Sequence, residues 1–192
     1  MKVLIACECS GISREAYKEL GWDAWSCDLQ PTELPGQHYQ CDVREVLNQD
    51  WDLLQCHPDC TYITNSGVRW LDRDIDRWKK MWEACEFFRL FLNHPCRHVC
   101  IENPIPHKYA ARWIGDKYTQ VIQPWQHNEP FQKATALWLR GLPPVTPTGI
   151  TSERKQACWL ESPGPERAKN RSRTYPGIAK ALAQQFTAHI LK

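Results

Sequence analysis

Residues 52–67 read DLLQCHPDCTYITNSG, and the rest of the chain can be interpreted around this stretch. Pro58 fixes its own φ and has no backbone N–H to donate, so the apolar run before His57 is predicted to be a strand that ends here. Cys60 then lies on a loop just past the carboxyl end of that strand, which is the edge of an open α/β sheet where ligands bind. The residues that follow are polar and favour turns: Thr61, Thr64, Asn65, Ser66 and Gly67.

A second stretch, VCIENP at residues 99–104, repeats this design of an apolar strand followed by polar residues and a proline. Because the carboxyl ends of parallel strands meet at one edge of a sheet, we expect Glu102 to reach the edge that carries Cys60. A thiol and a carboxylate at adjacent strand ends form a candidate reaction site.

Strand-like and helix-like segments alternate along the chain. The predicted strands cover residues 2–7, 24–27, 39–41, 51–56, 98–101, 119–122 and 136–139. The predicted helices cover residues 12–20, 43–48, 72–93, 109–114 and 176–190, the first with Ser10 as its N-cap. This alternation predicts a single-domain α/β fold with a doubly wound, mostly parallel sheet. We expect a core at 1–140, a Pro- and Arg-rich loop or arm at 141–175, and a C-terminal helix at 176–192 that packs on the core.

The composition narrows the class of protein. The formal net charge of +2 does not by itself indicate a polyanionic partner. The chain has neither a run of about 18 apolar residues nor a signal-like N-terminus, so we expect a soluble, cytoplasmic protein with no membrane partner. The ten tryptophans are predicted to serve mainly in packing, with exposed rings for base stacking as the alternative. Three cysteine pairs could each offer two ligands to a structural zinc ion: Cys7 and Cys9, Cys56 and Cys60, and Cys96 and Cys100. None has the usual C-x2-C spacing, so we expect no metal.

Polar residues follow the first three predicted strands. Residues 8–11 follow the first strand, and Asp28 and Asp42 follow the second and third. This is how a doubly wound sheet holds a nucleoside-bearing cofactor, with a turn that passes close to it and carboxylates that accept hydrogen bonds from it. For each aspartate alone, the simpler interpretation is a turn residue for Asp28 and an N-cap for Asp42.

Two motifs resemble the catalytic motifs of the DNA (cytosine-5)-methyltransferases. They are Pro58-Asp59-Cys60 with the polar loop that follows it, and Glu102-Asn103-Pro104. The resemblance spans nearly the whole chain, in a compact form with little or no target-recognition domain. It implies a Rossmann-like S-adenosylmethionine-dependent methyltransferase fold. The catalytic residues that it implies are Cys60, Glu102, Asn103 and Pro58. Those implied for S-adenosylmethionine are Cys7, Glu8, Ser10, Gly11, Asp28, Asp42 and His57, and those implied for the substrate are Thr64, Asn65, Ser66, Lys133, Arg171 and Arg173.

The resemblance also implies a mechanism that these residue types can perform. The Cys60 thiolate adds to C6 of a cytosine ring while Glu102 protonates N3 or donates a hydrogen bond to it. C5 of the resulting enamine then takes the methyl group of S-adenosylmethionine, and loss of the C5 proton expels the cysteine. A cytosine in duplex DNA has to be flipped out of the helix for the thiol to reach C6.

The sequence departs from the family pattern at three places. Glu8 and Ser10 stand where the family usually has glycines. Asp59 stands where the family has a second proline, and its charge raises the pKa of the neighbouring thiol unless a cation, Lys133 or Arg173, compensates. The segment that reads DNA sequence in the family is reduced here to at most residues 141–170.

Several functions are open at this stage. The favoured one is methylation of cytosine C5 in DNA, with the basic arm from Arg154 to Arg173 holding phosphates without sequence preference. The second is the same chemistry on a free cytosine nucleotide or RNA, and the third is a non-catalytic binding module on the same fold. An amino-group methyltransferase is less expected, because that group uses neither a cysteine nor a Glu–Asn pair. The oligomeric state is open.

Overall fold

The computed structural model describes residues 1–156, 160, 162–164 and 167–192. Within those ranges the strands are β1 (Lys2–Ala6), β2 (Asp23–Asp28), β3 (His38–Gln40), β4 (Leu53–Cys56), β5 (His98–Pro104), β6 (Gln120–Ile122) and β7 (Thr135–Arg140). The α-helices are α1 (Ile12–Lys18), α2 (Ile75–Leu92), α3 (Lys108–Ile114), α4 (Arg167–Ser172) and α5 (Pro176–Ile190). Short 3-10 turns cover Val43–Glu45, Asn65–Trp70 and Pro124–Gln126. None of the helices in the described part of the chain is long and apolar enough to cross a membrane.

The strands form one seven-stranded mixed sheet in the order β3-β2-β1-β4-β5-β7-β6. Strands β1 to β5 run parallel, whereas β7 runs antiparallel to both β5 and β6. The chain winds outward from β1 to β3 and then returns to place β4 on the other side of β1. The winding direction therefore reverses between β1 and β4, where Ala6 and Cys56 are partners in register. The predicted α/β fold with a mostly parallel sheet is confirmed.

Helices cover both faces of the sheet, because successive side chains of a strand point to opposite faces. On one face Leu4 of β1 belongs to an apolar core with α2 and α3, and on the other Val3 belongs to a core with α1 and α5. Each fully buried side chain of this size contributes about 1.5–3 kcal/mol. Trp22 Nε1 donates a hydrogen bond to Thr187 Oγ1 at 2.8 Å, which fixes α5 to the segment after α1. The carboxyl edge of the sheet is thus held between two helical layers.

The start of α1 differs from the prediction. Gly11, not Ser10, is the N-cap, and its φ of 76° lies in the left-handed region that glycine adopts without strain. A Cβ at Gly11 would lie 2.8 Å from Nη2 of Arg14, whose side chain is fully buried. Ser10 accepts a hydrogen bond from Ile12 N at 3.2 Å. Glycine is needed here because the backbone passes directly over a buried guanidinium group.

The predicted loop at 141–175 contains more regular structure than its prolines suggest. Part of this prediction lies outside the described residues, namely 157–159, 161 and 165–166. In the described part, Lys155 N donates to Pro130 O at 2.9 Å, Gln132 N donates to Lys155 O at 2.9 Å, and α4 lies where a loop is predicted. Pairing between two irregular segments needs no periodic pattern of residues, so the sequence does not reveal it.

Candidate active site

The loops after β1 and β4 leave the sheet side by side, at the point where its winding reverses. His57 N donates to Ala6 O at 2.9 Å, which joins the end of β4 to the end of β1. Glu8 N donates to Cys27 O at 3.0 Å, which joins the end of β1 to β2. Three strand ends are therefore held together at the edge where sheets of this kind bind ligands.

A tight turn positions Cys60. Its carbonyl oxygen accepts hydrogen bonds from Ile63 N and Thr64 N, both at 3.2 Å, and from Thr64 Oγ1 at 3.1 Å. The Asp59 carboxylate accepts from N and Oγ1 of Thr61 at 3.1 and 2.7 Å. Short polar side chains thus fix the backbone on both sides of the predicted nucleophile.

Opposing influences act on the Cys60 thiol, which is half-buried. Burial raises the pKa of Cys60, and the carboxylate of Asp59 raises it further. The positive charges of Lys133 and Arg171 lower it. Burial and the carboxylate outweigh the cations, so the pKa of Cys60 lies above its ordinary value, although two cations that favour the thiolate are within range.

Arg173, the other cation considered from the sequence, is engaged elsewhere. Its Nη2 lies 2.7 Å from Glu33 Oε2 in an ion pair with the loop between β2 and β3. The carbonyl oxygen of Arg173 accepts a hydrogen bond from Lys133 Nζ at 3.0 Å. Arg173 therefore supports Lys133 through its backbone, and the second cation acting on Cys60 is Arg171.

Glu102 and Asn103 stand near the end of β5, and both side chains are buried. Asn103 Nδ2 donates to Pro58 O at 2.7 Å, which ties β5 to the loop that carries the thiol. Glu102 Oε2 lies 3.5 Å from Nδ1 of His57. Within the described residues, Glu102 Oε2 and Asn103 Oδ1 are buried and accept no hydrogen bond. Buried acceptors of this kind mark positions where a ligand or water can donate.

The loop after β1 caps the first helix with a buried carboxylate. Glu8 Oε1 accepts hydrogen bonds from Ser13 N and from Ser10 Oγ, both at 2.8 Å. This satisfies a free N–H group at the start of α1 and places a negative charge there. Glu8 Oε2 is buried without a hydrogen-bond partner in the described chain. Glu8 and Ser10 therefore support the start of the helix, and one carboxylate oxygen of Glu8 remains available as an acceptor.

Asp28 and Asp42 have the local roles that the simpler interpretation gives them. Asp28 Oδ1 accepts from Gln30 N at 2.9 Å in a turn. Asp42 is the N-cap of a 3-10 turn, and its hydrogen bond from Arg44 N, at 2.9 Å, lowers the pKa of Asp42. Burial raises the pKa of the Cys7 thiol, and the charges of Asp28 and Asp42 raise it further. The two carboxylates thus act on the same space, at the end of β1.

The predicted substrate residues on the turn differ in how accessible their side chains are to a substrate. Thr64 is buried and uses its hydroxyl within the turn, so it supports the position of Cys60 rather than facing a substrate. Asn65 and Ser66 are exposed on the first residues of the following 3-10 turn.

Residues 61–80, which follow the nucleophile, carry cations over aromatic rings, and we call them the cation–aromatic segment. The distances from cation to ring centroid are between 4.9 and 5.8 Å. The pairs are Arg69 and Arg73 with Trp70, and Arg77 and Lys80 with Tyr62. Contacts of this geometry contribute about 0.5–1 kcal/mol at exposed sites and hold the cation in place.

Sequence reasoning missed this segment, because aspartates at 72, 74 and 76 balance its charge. Asp74 accepts a hydrogen bond from Asp76 N at 3.0 Å as the N-cap of α2. The ion pairs of the described chain include none of the four cations over the rings. The available signal was the four-residue spacing of Arg69, Arg73 and Arg77, which predicts one face of a helix.

The cysteine pairs considered for zinc do not form a centre in the described part of the chain. The nine cysteines within it are free thiols, and no three of its His, Cys, Asp or Glu side chains are grouped to hold an ion. A shallow depression lined by residues 48–52 and 94–96 lies at the amino ends of β4 and β5, on the opposite edge from Cys60.

Comparison with known proteins gives no independent assignment. No family model matches the chain, and no curated protein matches it. The function therefore has to follow from the chemistry of the site, since a fold alone does not specify one.

Proposed function

We propose that this protein is an S-adenosylmethionine-dependent methyltransferase that modifies C5 of cytosine in a polynucleotide, with DNA favoured, through a covalent adduct at Cys60. The observation that carries the proposal is a half-buried thiol within the electrostatic range of two cations, on the loop after β4, together with a buried carboxylate near the end of the adjacent strand β5. Cys60 follows β4, Glu102 lies near the end of β5, and Asn103 joins the two loops through its bond to Pro58. These are the nucleophile and the acid that addition to cytosine requires.

The cofactor part of the proposal is supported by the edge of the sheet around β1. The first five strands follow the order β3-β2-β1-β4-β5, which agrees with the Rossmann order whose carboxyl edge binds nucleoside cofactors. The chemistry of the nearby side chains fits S-adenosylmethionine, which has hydroxyl and amine groups to donate. Glu8 Oε2 would accept from such a group, as would the carboxylates of Asp28 and Asp42. When bound, S-adenosylmethionine supplies an electrophilic methyl group.

The residues of the site divide the proposed chemistry between them. Lys133 and Arg171 favour the thiolate of Cys60, which forms a bond to C6 of the ring. Glu102 delivers a proton to N3 as electron density moves onto the ring. After C5 is methylated, its proton passes to solvent, the Cys60–C6 bond breaks, and the N3 proton returns to Glu102. The cysteine leaves as a thiolate under the same two cations.

The cation–aromatic segment supports a polynucleotide over a free nucleotide. It begins at the residue after Cys60, and Trp70 within it is 41% exposed. Exposed rings stack on successive bases while cations contact successive phosphates, and a free nucleotide offers only one of each. Two cations of the predicted arm are instead engaged within the protein, because Arg154 lies 3.9 Å over the Trp125 ring and Arg173 forms an ion pair.

Transfer of labelled methyl from S-adenosylmethionine tests the proposal. The wild type, Cys60→Ser and Cys96→Ser are compared on duplex DNA, single-stranded DNA, RNA and dCMP. We expect transfer to C5 of cytosine in a polynucleotide, complete loss in Cys60→Ser, and little change in Cys96→Ser, whose half-buried thiol lies at the opposite edge of the sheet. Activity that survives in Cys60→Ser would refute the covalent mechanism. Cofactor binding without transfer to any substrate would favour the binding module.

Removal of one exposed ring tests the choice of substrate. Trp70→Ala is expected to weaken binding to a single-stranded oligonucleotide by about 1–3 kcal/mol, the contribution of one stacked base. Trp82→Ala is the matched control, since Trp82 is 45% exposed on α2 but lies beyond the cation–aromatic segment. Fluorescence anisotropy measures both affinities. Equal affinities of the two variants, with dCMP as the only methyl acceptor, would assign the free nucleotide.

A further inference from the structure

A chain of polar groups, buried except for the half-buried His57, runs from α1 through β4 to the candidate acid, and we call it the polar relay. Tyr17 OH donates to Gln55 Oε1 at 2.9 Å. Gln55 Nε2 lies 3.2 Å from His57 Nε2, and His57 Nδ1 lies 3.5 Å from Glu102 Oε2. Tyr17 and Gln55 are fully buried, so bulk water cannot replace their contacts.

These contacts fix where the hydrogens lie. Burial raises the pKa of Tyr17 well above its ordinary value, so the phenol keeps its hydrogen, which it donates to Gln55 Oε1. Its bond directs the oxygen of the Gln55 amide toward Tyr17 and the NH2 group toward His57. Because an NH2 group only donates, Nε2 of a neutral His57 accepts and Nδ1 carries the hydrogen. That hydrogen is on the nitrogen that lies 3.5 Å from Glu102 Oε2.

Packing alone does not explain the relay. Gln55 lies within β4 between Ile5 of β1 and Cys100 of β5, where an apolar side chain would need no partner. A buried amide that loses its hydrogen bond costs about 1–3 kcal/mol, so this residue adds a liability to the sheet. A functional role for the polar relay in positioning Glu102, the group at its end, would explain why a glutamine occupies this buried position.

We propose that His57 is a positioning residue for Glu102, and that Gln55 and Tyr17 set its tautomer; this inference rests on the proposed function. In the structure His57 Nδ1 and Glu102 Oε2 lie 3.5 Å apart without a hydrogen bond. When cytosine is bound, Nδ1 closes on Oε2 and donates to it, which leaves the second carboxyl oxygen of Glu102 to face N3 of the ring. When the Glu102 proton passes to N3, the remaining carboxylate keeps the hydrogen bond from His57. The same proton returns to Glu102 when the thiolate leaves, and His57 gains and loses none. This role differs from the cofactor contact that the family resemblance implies for His57.

Nitrogen-15 NMR of the imidazole rings tests the tautomer without any substrate. In the wild type, neutral His57 is expected to carry its hydrogen on Nδ1. Gln55→Leu removes the donor to Nε2 and Tyr17→Phe removes the group that orients it, so both variants should gain the form with hydrogen on Nε2. Tyr118→Phe, which lies against Trp138 away from the relay, is the control and should match the wild type. Hydrogen on Nε2 in the wild type would overturn the inference.

Methyl-transfer kinetics test the positioning itself. The NH2 group of His57→Asn can take the place of Nδ1–H, whereas His57→Ala leaves Glu102 without a donor. We expect kcat to fall about ten- to hundredfold in His57→Ala, as for loss of a hydrogen bond to a charged group, with KM unchanged. Most of the rate should return in His57→Asn. Equal losses in both variants would overturn the inference, whereas a wild type without transfer would refute the proposed function and leave the NMR result standing.

Discussion

The loops after β1 and β4 leave the same edge of the sheet and contain the same residue types, but their carboxylates and thiols have different surroundings. Each carries a carboxylate next to a cysteine, Glu8 after Cys7 and Asp59 before Cys60. In the first loop the carboxylate is buried and caps α1, while burial and nearby carboxylates raise the pKa of Cys7. In the second loop the carboxylate is exposed; burial and this carboxylate raise the pKa of the half-buried thiol, and two cations, Lys133 and Arg171, oppose that rise.

This difference indicates that burial and charged neighbours, rather than residue types, decide which of the two thiols ionises more readily. Because the thiolate is the reactive form of cysteine, we expect the loop whose thiol has cations within range to be the more reactive of the two. The other loop contributes stability, since its carboxylate satisfies hydrogen-bond donors at the start of a helix. Substitutions in the first loop should therefore change the free energy of unfolding, and substitutions in the second should change the reactivity of Cys60.

The largest difference between the loops is expected in the free energy of unfolding. Glu8→Ala removes the acceptor for Ser13 N and Ser10 Oγ, which leaves buried donors unpaired and costs about 1–3 kcal/mol. Asp59→Ala is the matched variant in the second loop and should cost less than about 1 kcal/mol, because Asp59 is exposed. Urea denaturation followed by circular dichroism measures both. Equal losses would contradict the division of roles between the two loops.

A smaller difference concerns pH, because a buried histidine holds the second loop. His107 N donates to Ile63 O at 2.9 Å, its Nε2 lies 3.2 Å from Tyr62 O, and its Nδ1 accepts from Ala110 N at 3.2 Å. Burial lowers the pKa of His107 below its ordinary value. The unfolded chain therefore takes up this proton at a higher pH than the folded chain does. The stability that neutral His107 contributes is present above about pH 6.5 and is lost as pH falls through the lower, folded-state pKa.

His107→Asn separates this contribution from the rest of the protein. Asparagine can accept from Ala110 N as an N-cap but does not titrate. We expect the free energy of unfolding to fall by about 0.5–1.5 kcal/mol more in the wild type than in the variant between about pH 7 and pH 5. Part of the pH dependence should remain in the variant, since burial also lowers the pKa values of His94 and His127. Parallel pH profiles of the two proteins would show that His107 does not couple the loop to pH.

Much of the sheet can be predicted because its central strands are buried apolar runs with clear stops. The run at 2–7 and the proline after His57 set the ends of β1 and β4 closely. The antiparallel direction of β7 cannot be predicted in this way, because an apolar run reads the same in both directions. The N-cap at Gly11 depends on Arg14 lying beneath the loop, which is a packing contact that the helix signals of the sequence do not contain.

The candidate site can be predicted only as far as strand ends determine it. The prolines at 58 and 104 predict that Cys60 and Glu102 lie near adjacent strand ends, and the register of β4 and β5 agrees. The sequence does not show which arginine acts on Cys60, because Arg171 and Arg173 are only two residues apart. In the folded chain Arg171 influences Cys60, whereas Arg173 pairs with Glu33. The contact of His57 with Glu102 likewise depends on side-chain directions across two strands, which the sequence does not specify.

The smallest expected effect separates the charges on the Cys60 thiol. Asp59→Asn keeps an oxygen to accept from Thr61 but removes the negative charge, so the pKa of Cys60 should fall, whereas Lys133→Gln removes a cation and should raise it. Only the thiolate is alkylated, so below the pKa of Cys60 the Asp59→Asn variant should react faster than the wild type and the Lys133→Gln variant more slowly. Each change in rate should be about two- to fivefold, because a screened charge contributes less than about 1 kcal/mol. Iodoacetamide labelling followed by peptide mass spectrometry measures the rates, and Cys7 should react more slowly than Cys60 throughout. Faster labelling of Cys7, or shifts of the same sign in the two variants, would show that charged neighbours do not distinguish the two loops.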